Sequence, residues 1–203
     1  MEGLTFDPKT HTYTLKGLPI PSVTQVIAGT QDFLGVPEET MEAARERGNL
    51  VHKATAEWDL YGKVSLREAE DKSPELVGYL RAWMAFVGAA AFSPLVIEAP
   101  VYSSRYRFAG TIDRAGFIGE EPVILDIKTA ASSSRLHPAV GLQLAAYQQA
   151  YNESRPPPEK AEGRYAVQLR PDGKYTLTQY TDKGDFSVFL ACLTLHNWRK
   201  RFT

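Results

Sequence analysis

Hydrophobic and polar positions along this chain change period in blocks. Residues 4–15 carry a weak two-residue alternation rich in Thr and Tyr, followed by Lys16-Gly17, which predicts a short hairpin. Ser22 caps a brief helix through Ile27, and Gly29 stops it. Pro37-Glu38-Glu39 opens a longer helix, because proline suits the first helical position and acids suit the positive end of the dipole. Its apolar stripe is Met41, Ala44, Val51, Ala54, Trp58 and Tyr61, and His52 sits at the stripe's edge, four residues after Gly48. Ser65-Leu66-Arg67-Glu68 reads as a capping box. Ser73-Pro74-Glu75 starts a further helix with Leu76, Leu80, Trp83, Val87 and Ala91 at helical spacing, and Ser93-Pro94 is its expected stop.

Three strands are then predicted over 95–103, 106–118 and 121–129, the last two joined around Gly119-Glu120. A helix follows from Pro138 to about Asn152, ended by Arg155 and three prolines that read as a surface loop. Strands at 165–170 and 174–180 flank the turn Pro171-Asp172-Gly173, and 186–198 is a last amphipathic helix ending in Arg199-Lys200-Arg201. The order predicts an α/β fold, a mixed central β-sheet flanked by helices. The segment after the proline run is short for a domain of its own, so 1–203 is read as a single domain with a C-terminal hairpin and helix over 162–203.

Composition narrows the function. Of 203 residues, 43% are hydrophobic and 23% charged, ordinary for a globular chain and against disorder. The 23 Lys and Arg balance 24 Asp and Glu, so any nucleic-acid contact needs locally placed positive charge. One cysteine excludes an internal disulfide framework, a four-cysteine zinc site and a cysteine-held iron–sulfur cluster, and it fits a reducing cytoplasm. No basic n-region opens the chain, and the longest apolar run, 83–92, is about half of a membrane span. A cytoplasmic location in a bacterial or phage-infected cell, with no membrane partner, is therefore expected. No GxxxxGK[ST] loop occurs, and no nucleotide cofactor is implied.

The chemistry concentrates in Gly110-Thr111-Ile112-Asp113 and Ile124-Leu125-Asp126-Ile127-Lys128-Thr129. A two-residue turn with Gly119 first suits type II′ and pairs Ile118 with Glu121, which places Asp113 directly opposite Asp126. Opposed side chains share a face about 5 Å apart, and Lys128 shares that face one pleat further along. Two opposed carboxylates repel unless a cation lies between them, and they offer oxygen ligands to a divalent ion. The plain alternative is a solvated Asp–Lys pair beside an unrelated Asp. Against it, Val123-Ile124-Leu125 reads as a central, buried strand, where charges are costly.

Gly-x-x-Asp, then Ile-Leu-Asp-x-Lys-Thr, then Gln143-x-x-x-Tyr147, preceded by Arg47-Gly48-Asn49-Leu50-Val51-His52, resemble in order and spacing the RecB-like branch of the PD-(D/E)xK nuclease superfamily. The match covers about 45–151. The segment from Tyr13 to Pro21-Ser22-Val23-Thr24 resembles the opening of phage-type exonucleases in that group. Ile112 stands where the superfamily's name has proline, and Asp126 where many members have Glu; the branch tolerates both.

The resemblance implies a restriction-endonuclease-like core with a catalytic β-hairpin. It implies His52, Asp113, Asp126 and the Ile127 carbonyl as metal ligands, with Glu98 as a candidate contact through water or a structural residue. Lys128 would be the catalytic lysine, with Gln143 and Tyr147 beside it. Mg²⁺ or Mn²⁺, one ion or two, suits these donors. Arg105, Arg107 and Arg114 around the Asp113 strand, and Ser132 and Arg135 after the Lys128 strand, are candidate DNA contacts, or else solvated strand ends. Trp58, Trp83 and Trp198 fall on apolar stripes and are expected in the core. The leading expectation is a metal-dependent DNA exonuclease of phage or bacterial recombination and repair, with recombination or single-strand-binding proteins as partners. The alternatives are a structure-specific endonuclease on the same fold and a non-catalytic DNA-binding module.

Overall fold

The computed structural model describes residues 3–7, 10, 12–30, 37–62, 73–131 and 135–202. The capping box at Ser65 and the candidate contact Ser132 lie outside the described residues. Lys16 and Gly17 both have positive φ, 51° and 80°. Two successive left-handed residues make a type I′ turn, so Lys16-Gly17 is itself a hairpin turn. It joins β2 (Thr12–Leu15) to β3 (Leu18–Ile20), and β1 (Leu4–Asp7) pairs with β2 on the other side. Ser22 caps α1 (Val23–Ile27) reciprocally with Gln25, as the sequence predicts.

Two long helices follow, α2 (Glu38–Tyr61) and α3 (Pro74–Ala89). The stripe of α2 is buried at Val51 and Ala54, while Met41 and Tyr61 at its two ends are exposed. Ser93-Pro94 does not separate helix from strand. Here α3 ends at Ala89, Ala91 turns the chain with φ 46°, and β4 (Phe92–Ser103) runs through the proline. Proline is tolerated there because β4 is a sheet edge and its register shifts between Pro94 and Val96.

The main sheet has five strands in the order β4, β5 (Phe108–Ile118), β6 (Glu121–Thr129), β7 (Gly163–Leu169) and β8 (Tyr175–Gln179). All pairs are antiparallel except β6 with β7, which are linked through α4 (Ala139–Glu153). Alternation along β6 sends Ile124 to one face and Val123, Leu125 and Ile127 to the other. The first face packs against α1, α4 and α5 (Asp185–Arg199), through Val23, Ile27, Leu144, Ala146 and Phe189. The second packs against α2 and α3, where Trp83, Phe86 and Phe92 have ring centroids 5.3–5.9 Å apart. Burying one such large apolar side chain stabilises by roughly 1.5–3 kcal/mol. The fold is thus a mixed α/β architecture of the restriction-endonuclease-like kind. Trp83 is in the core and Trp58 at its edge, but Trp198 is 54% exposed and packs on Phe202 at the chain's end.

One polar group crosses the second core. Arg114 of β5 is completely buried. Its Nε donates to Asp59 of α2 at 2.6 Å, Nη1 to Glu98 of β4 at 2.9 Å, and Nη2 to Thr55 at 3.1 Å. The guanidinium lies over the Trp83 ring, whose indole N–H donates to Asp59 at 2.9 Å. Arg114 is therefore neither the surface phosphate contact nor the solvated strand end that its sequence position suggests, because no solvent-facing atom remains. Burial pushes the Asp59 carboxyl up, and Arg114 opposes that shift. Removing one member of such a pair leaves a buried, uncompensated charge, at a cost of about 3–5 kcal/mol. Arg114→Met is expected to lose about that much stability in urea unfolding; an unchanged midpoint would show the network to be dispensable.

Candidate active site

The β5–β6 turn has Gly119 at φ 60° and no positive φ at Glu120, the combination of type II′. It sets the expected register, from Ile118 with Glu121 up to Arg114 with Leu125. The ladder stops there, one pair short of Asp113 and Asp126. Beyond it Asp113 Oδ2 accepts the Ile127 N–H at 2.6 Å, so a carboxylate takes the place of a backbone acceptor as the strands part.

The neighbouring strand is irregular at the same level. Val96 and Ala99 on β4, and Ile112 and Ala115 on β5, all pack toward the same helices although each pair is three residues apart. A regular strand would put them on opposite faces. Alternation is lost at Glu98 and Asp113, and Glu98 has φ 45°, a left-handed conformation unusual for a non-glycine residue. Both carboxylates are thereby turned toward α2.

His52 approaches from that helix. Its Nδ1 lies 3.1 Å from Glu98 Oε1 and 3.6 Å from Asp113 Oδ1, and Nε2 lies 3.1 Å from the Ile127 carbonyl. His52, Glu98 and Asp113 each offer one ligand atom, all within 4.8 Å of one another. Glu98 thus contacts the His52 imidazole and lies in the same cluster as Asp113. Asp126 is almost fully buried, and Lys128 Nζ lies 2.8 Å from its Oδ2 and 3.1 Å from Oδ1. Only the Oδ1 contact has hydrogen-bond geometry, so Oδ2 is a buried oxygen without a hydrogen bond. One imidazole, two clustered carboxylates and that spare oxygen fit a divalent cation.

Lys128 also donates to Gln143 Oε1 at 3.2 Å, and Gln143 Nε2 donates to the Tyr147 hydroxyl at 3.2 Å. The spacing of Gln143 and Tyr147 puts both on one face of α4, as expected. Gly110 explains itself here: a Cβ on it would collide with the Tyr147 ring. Tyr13 of the N-terminal sheet reaches Thr111 at 2.7 Å and closes the same wall.

The remaining expected contacts are elsewhere. Arg105 and Arg107 are exposed in the β4–β5 turn, which Glu153 of α4 holds through Ser103, Ser104 and the Arg105 N–H. Six residues of strand separate Arg107 from Asp113, roughly 20 Å. Arg135 is exposed beside β8, in a cavity with Gln168 and Tyr180. The cleft over the carboxylates, about 710 Å³, is lined instead by Arg45, Gly48, Asn49 and Lys53 of α2, by Thr24 and by Phe6. Sequence reasoning missed these, although Asn49 stands three residues before His52 and Arg45 seven, spacings that share a helix face.

Against family profiles, residues 66–191 match the PD-(D/E)XK nuclease superfamily, more than half of the chain. The chain belongs to the PD-(D/E)XK nuclease superfamily. As a member it is a metal-dependent nuclease. The matched stretch contains Asp113, Asp126 and Lys128 and leaves His52 outside. No curated protein matches the chain. Among solved structures it is similar to SSO0001, at 16% identity and a TM-score of 0.40, with 75% of this chain and 73% of that one covered. Among the described residues of this nuclease, no helix is long and apolar enough to cross a membrane.

Electrostatics at the site follow from crowding. Burial alone would lower the His52 pKa, but Asp113 and Glu98 reverse that and raise it to about 9. Burial raises Asp113 to about 6, against the pull of His52. Burial disfavours the charge on Lys128, yet Asp126 and Asp113 overcome it and hold the ammonium protonated above its usual range. Without metal, His52 and Asp113 bind protons more tightly folded than unfolded. Their contribution to stability is full below the ordinary values of 6.5 and 3.8 and is lost as pH rises through about 9 and about 6. A cation held by His52 and Asp113 would take the place of those protons. The gain in unfolding temperature on exchanging EDTA for Mn²⁺ is expected to be larger at pH 8 than at pH 6, measured by calorimetry; equal gains would contradict this account.

Proposed function

We propose that this nuclease is a DNA exonuclease of the RecB-like, phage-type branch, working at DNA ends in bacterial or phage recombination and repair. The single observation that supports it most is the chain Asp126–Lys128–Gln143–Tyr147 lying beside the His52, Glu98 and Asp113 group. The ordered motifs Gly110-x-x-Asp113, Asp126-x-Lys128 and Gln143-x-x-x-Tyr147 favour the RecB-like branch. The reading treats the whole chain as one nuclease domain in the cytoplasm, with single-strand-binding or recombination proteins as natural neighbours.

Three ligand positions and the spare oxygen of Asp126 would hold Mg²⁺ or Mn²⁺. When bound, the ion neutralises phosphate charge and acidifies water for attack on phosphorus. The side chains do the rest. Asp126 and Gln143 hold two of the three ammonium donors of Lys128, leaving the third for a phosphate oxygen or the attacking water. Gln143 is fixed in turn, since its amide nitrogen faces the Tyr147 hydroxyl and its oxygen faces the lysine. A charge delivered by a prearranged donor acts on the transition state more than on the ground state.

End-labelled linear DNA and covalently closed circles, incubated with Mg²⁺ or Mn²⁺, test the reading. Linear DNA is expected to be consumed from its ends and circles to survive; cut circles would make the protein an endonuclease. Lys128→Ala is expected to lower the single-turnover rate about 10²–10³-fold, as for other prearranged donors. Its Mn²⁺ affinity should be unchanged or higher, because a neighbouring cation is gone. A variant with a near-normal rate would remove the lysine from the chemistry. DNA binding without cleavage of either substrate would point to the non-catalytic module.

A further inference from the structure

Gly48 stands in the middle of α2, a helix of 24 residues. Glycine is the poorest helix former after proline, so a mid-helix glycine calls for a reason. Other helical glycines have one inside the protein. A Cβ on Gly78 would strike the Pro171 backbone, and one on Gly141 the Asp185 carboxylate. Gly88 lies in the last turn of α3, where a helix frays. Among the described residues, no atom beyond its chain neighbours and its own helix backbone lies within 4 Å of where a Cβ on Gly48 would stand. Packing therefore does not require the glycine, and its bare face opens on the cleft that holds His52, Asp113, Asp126 and Lys128.

The residues around it share a chemistry. Arg45, Asn49 and Lys53 repeat every four residues, one stripe about 12 Å long on α2. All three are exposed and all line the cleft. None of the acids of α2, namely Glu38, Glu39, Glu42, Glu46, Glu57 and Asp59, lines it. Arg45 pairs with Glu42 on the surface, a contact weak enough to exchange for a phosphate.

We propose that this stripe seats the backbone of a polynucleotide. One sugar–phosphate passes against the bare helix at Gly48, the close approach that glycine permits. Arg45 and Lys53 take the flanking phosphates, and the Asn49 amide donates between them. The inference rests on the nuclease reading above and adds where the strand lies. It moves the phosphate track from the β4–β5 turn to the helix that carries His52.

The test is equilibrium anisotropy of a fluorescent oligonucleotide, single-stranded and as its duplex, in EDTA across a salt series. Arg45→Gln and Lys53→Gln are each expected to weaken binding several-fold and to flatten the salt slope by about 0.7–0.9. Lys174→Gln, an exposed cation in the β7–β8 turn, should leave both unchanged. Gly48→Ala should weaken binding several-fold with the slope unaltered. The same substitution should raise the unfolding temperature by about 2–4 °C, since alanine is the better helix former. A purely structural glycine would not give opposite signs for binding and stability. The proposal is overturned if Gly48→Ala binds like wild type, or lowers the unfolding temperature, or if Arg45→Gln with Lys53→Gln keeps the wild-type slope. A wild-type protein that binds in this pattern but cuts nothing with Mg²⁺ or Mn²⁺ removes catalysis and keeps the groove. One that cuts normally with all groove variants unaffected removes the groove and keeps catalysis.

Discussion

Arg114 is out of reach of water, so its N–H groups must find acceptors inside the protein. It finds them on three elements at once: Asp59 and Thr55 on α2, Glu98 on β4, and the Asp113 carbonyl, 2.7 Å away on its own strand. The carboxylate of Glu98 is fixed by this contact on one side and by His52 on the other. The backbone of Asp113 is fixed by it as well. A guanidinium is planar and cannot lose its proton, so the angles between these elements are set by its fork. The distances at the candidate metal group therefore depend on a residue that touches neither substrate nor solvent.

That tether also accounts for the irregular backbone. A non-glycine residue at φ 45° costs of order 1–3 kcal/mol and persists only where its surroundings hold it. Glu98 is held by the ion pair with Arg114 and by the imidazole. In a regular strand its side chain would lie on the face of Val96, toward the first core. Losing the alternation on β4 and β5 together keeps their pairing intact on both sides of the break, from Ile97 with Arg114 to Ala99 with Ile112. The sheet thus stays closed by backbone bonds while two acids leave its plane.

Much of this was legible in the chain before any coordinates. The type II′ turn at Gly119 fixes the register by local geometry alone, and the apolar stripe of the helix opened by Pro37 places His52 at its edge. Gln143 and Tyr147 follow from one helical turn. What could not be read is long-range. Whether Arg114 faces solvent or core depends on Asp59 and Trp83, residues 55 and 31 positions earlier in the chain, being packed behind it. Nothing local in Ile112-Asp113-Arg114-Ala115 distinguishes the two. The Ser93-Pro94 boundary was misread for a similar reason: proline forbids a central strand but not an edge, and edge position is a property of the assembled sheet. Trp198 fits an apolar helical stripe in sequence, yet α5 is buried at Phe189 and Leu193 and leaves Trp198, near its end, half exposed.

The balance of charge in the cleft ties these strands of reasoning together. The chain as a whole is nearly neutral, with a formal charge of −1. Around the cleft the acids Glu98, Asp113 and Asp126 sit at its floor, while Arg45 and Lys53 stand at its helical rim. Three carboxylates facing a phosphate would repel it, and without a metal the cationic groups that meet that repulsion at the floor are His52, Lys128 and the Arg114 guanidinium paired with Glu98. A divalent cation would offset that repulsion, and Arg45 and Lys53 line the same cleft along α2. On the proposed reading, a divalent metal and a polyanion would favour each other's binding through ordinary electrostatics. None of the acids of α2 lines the cleft, so a near-neutral chain can still place Arg45, Lys53 and Lys128 together on it.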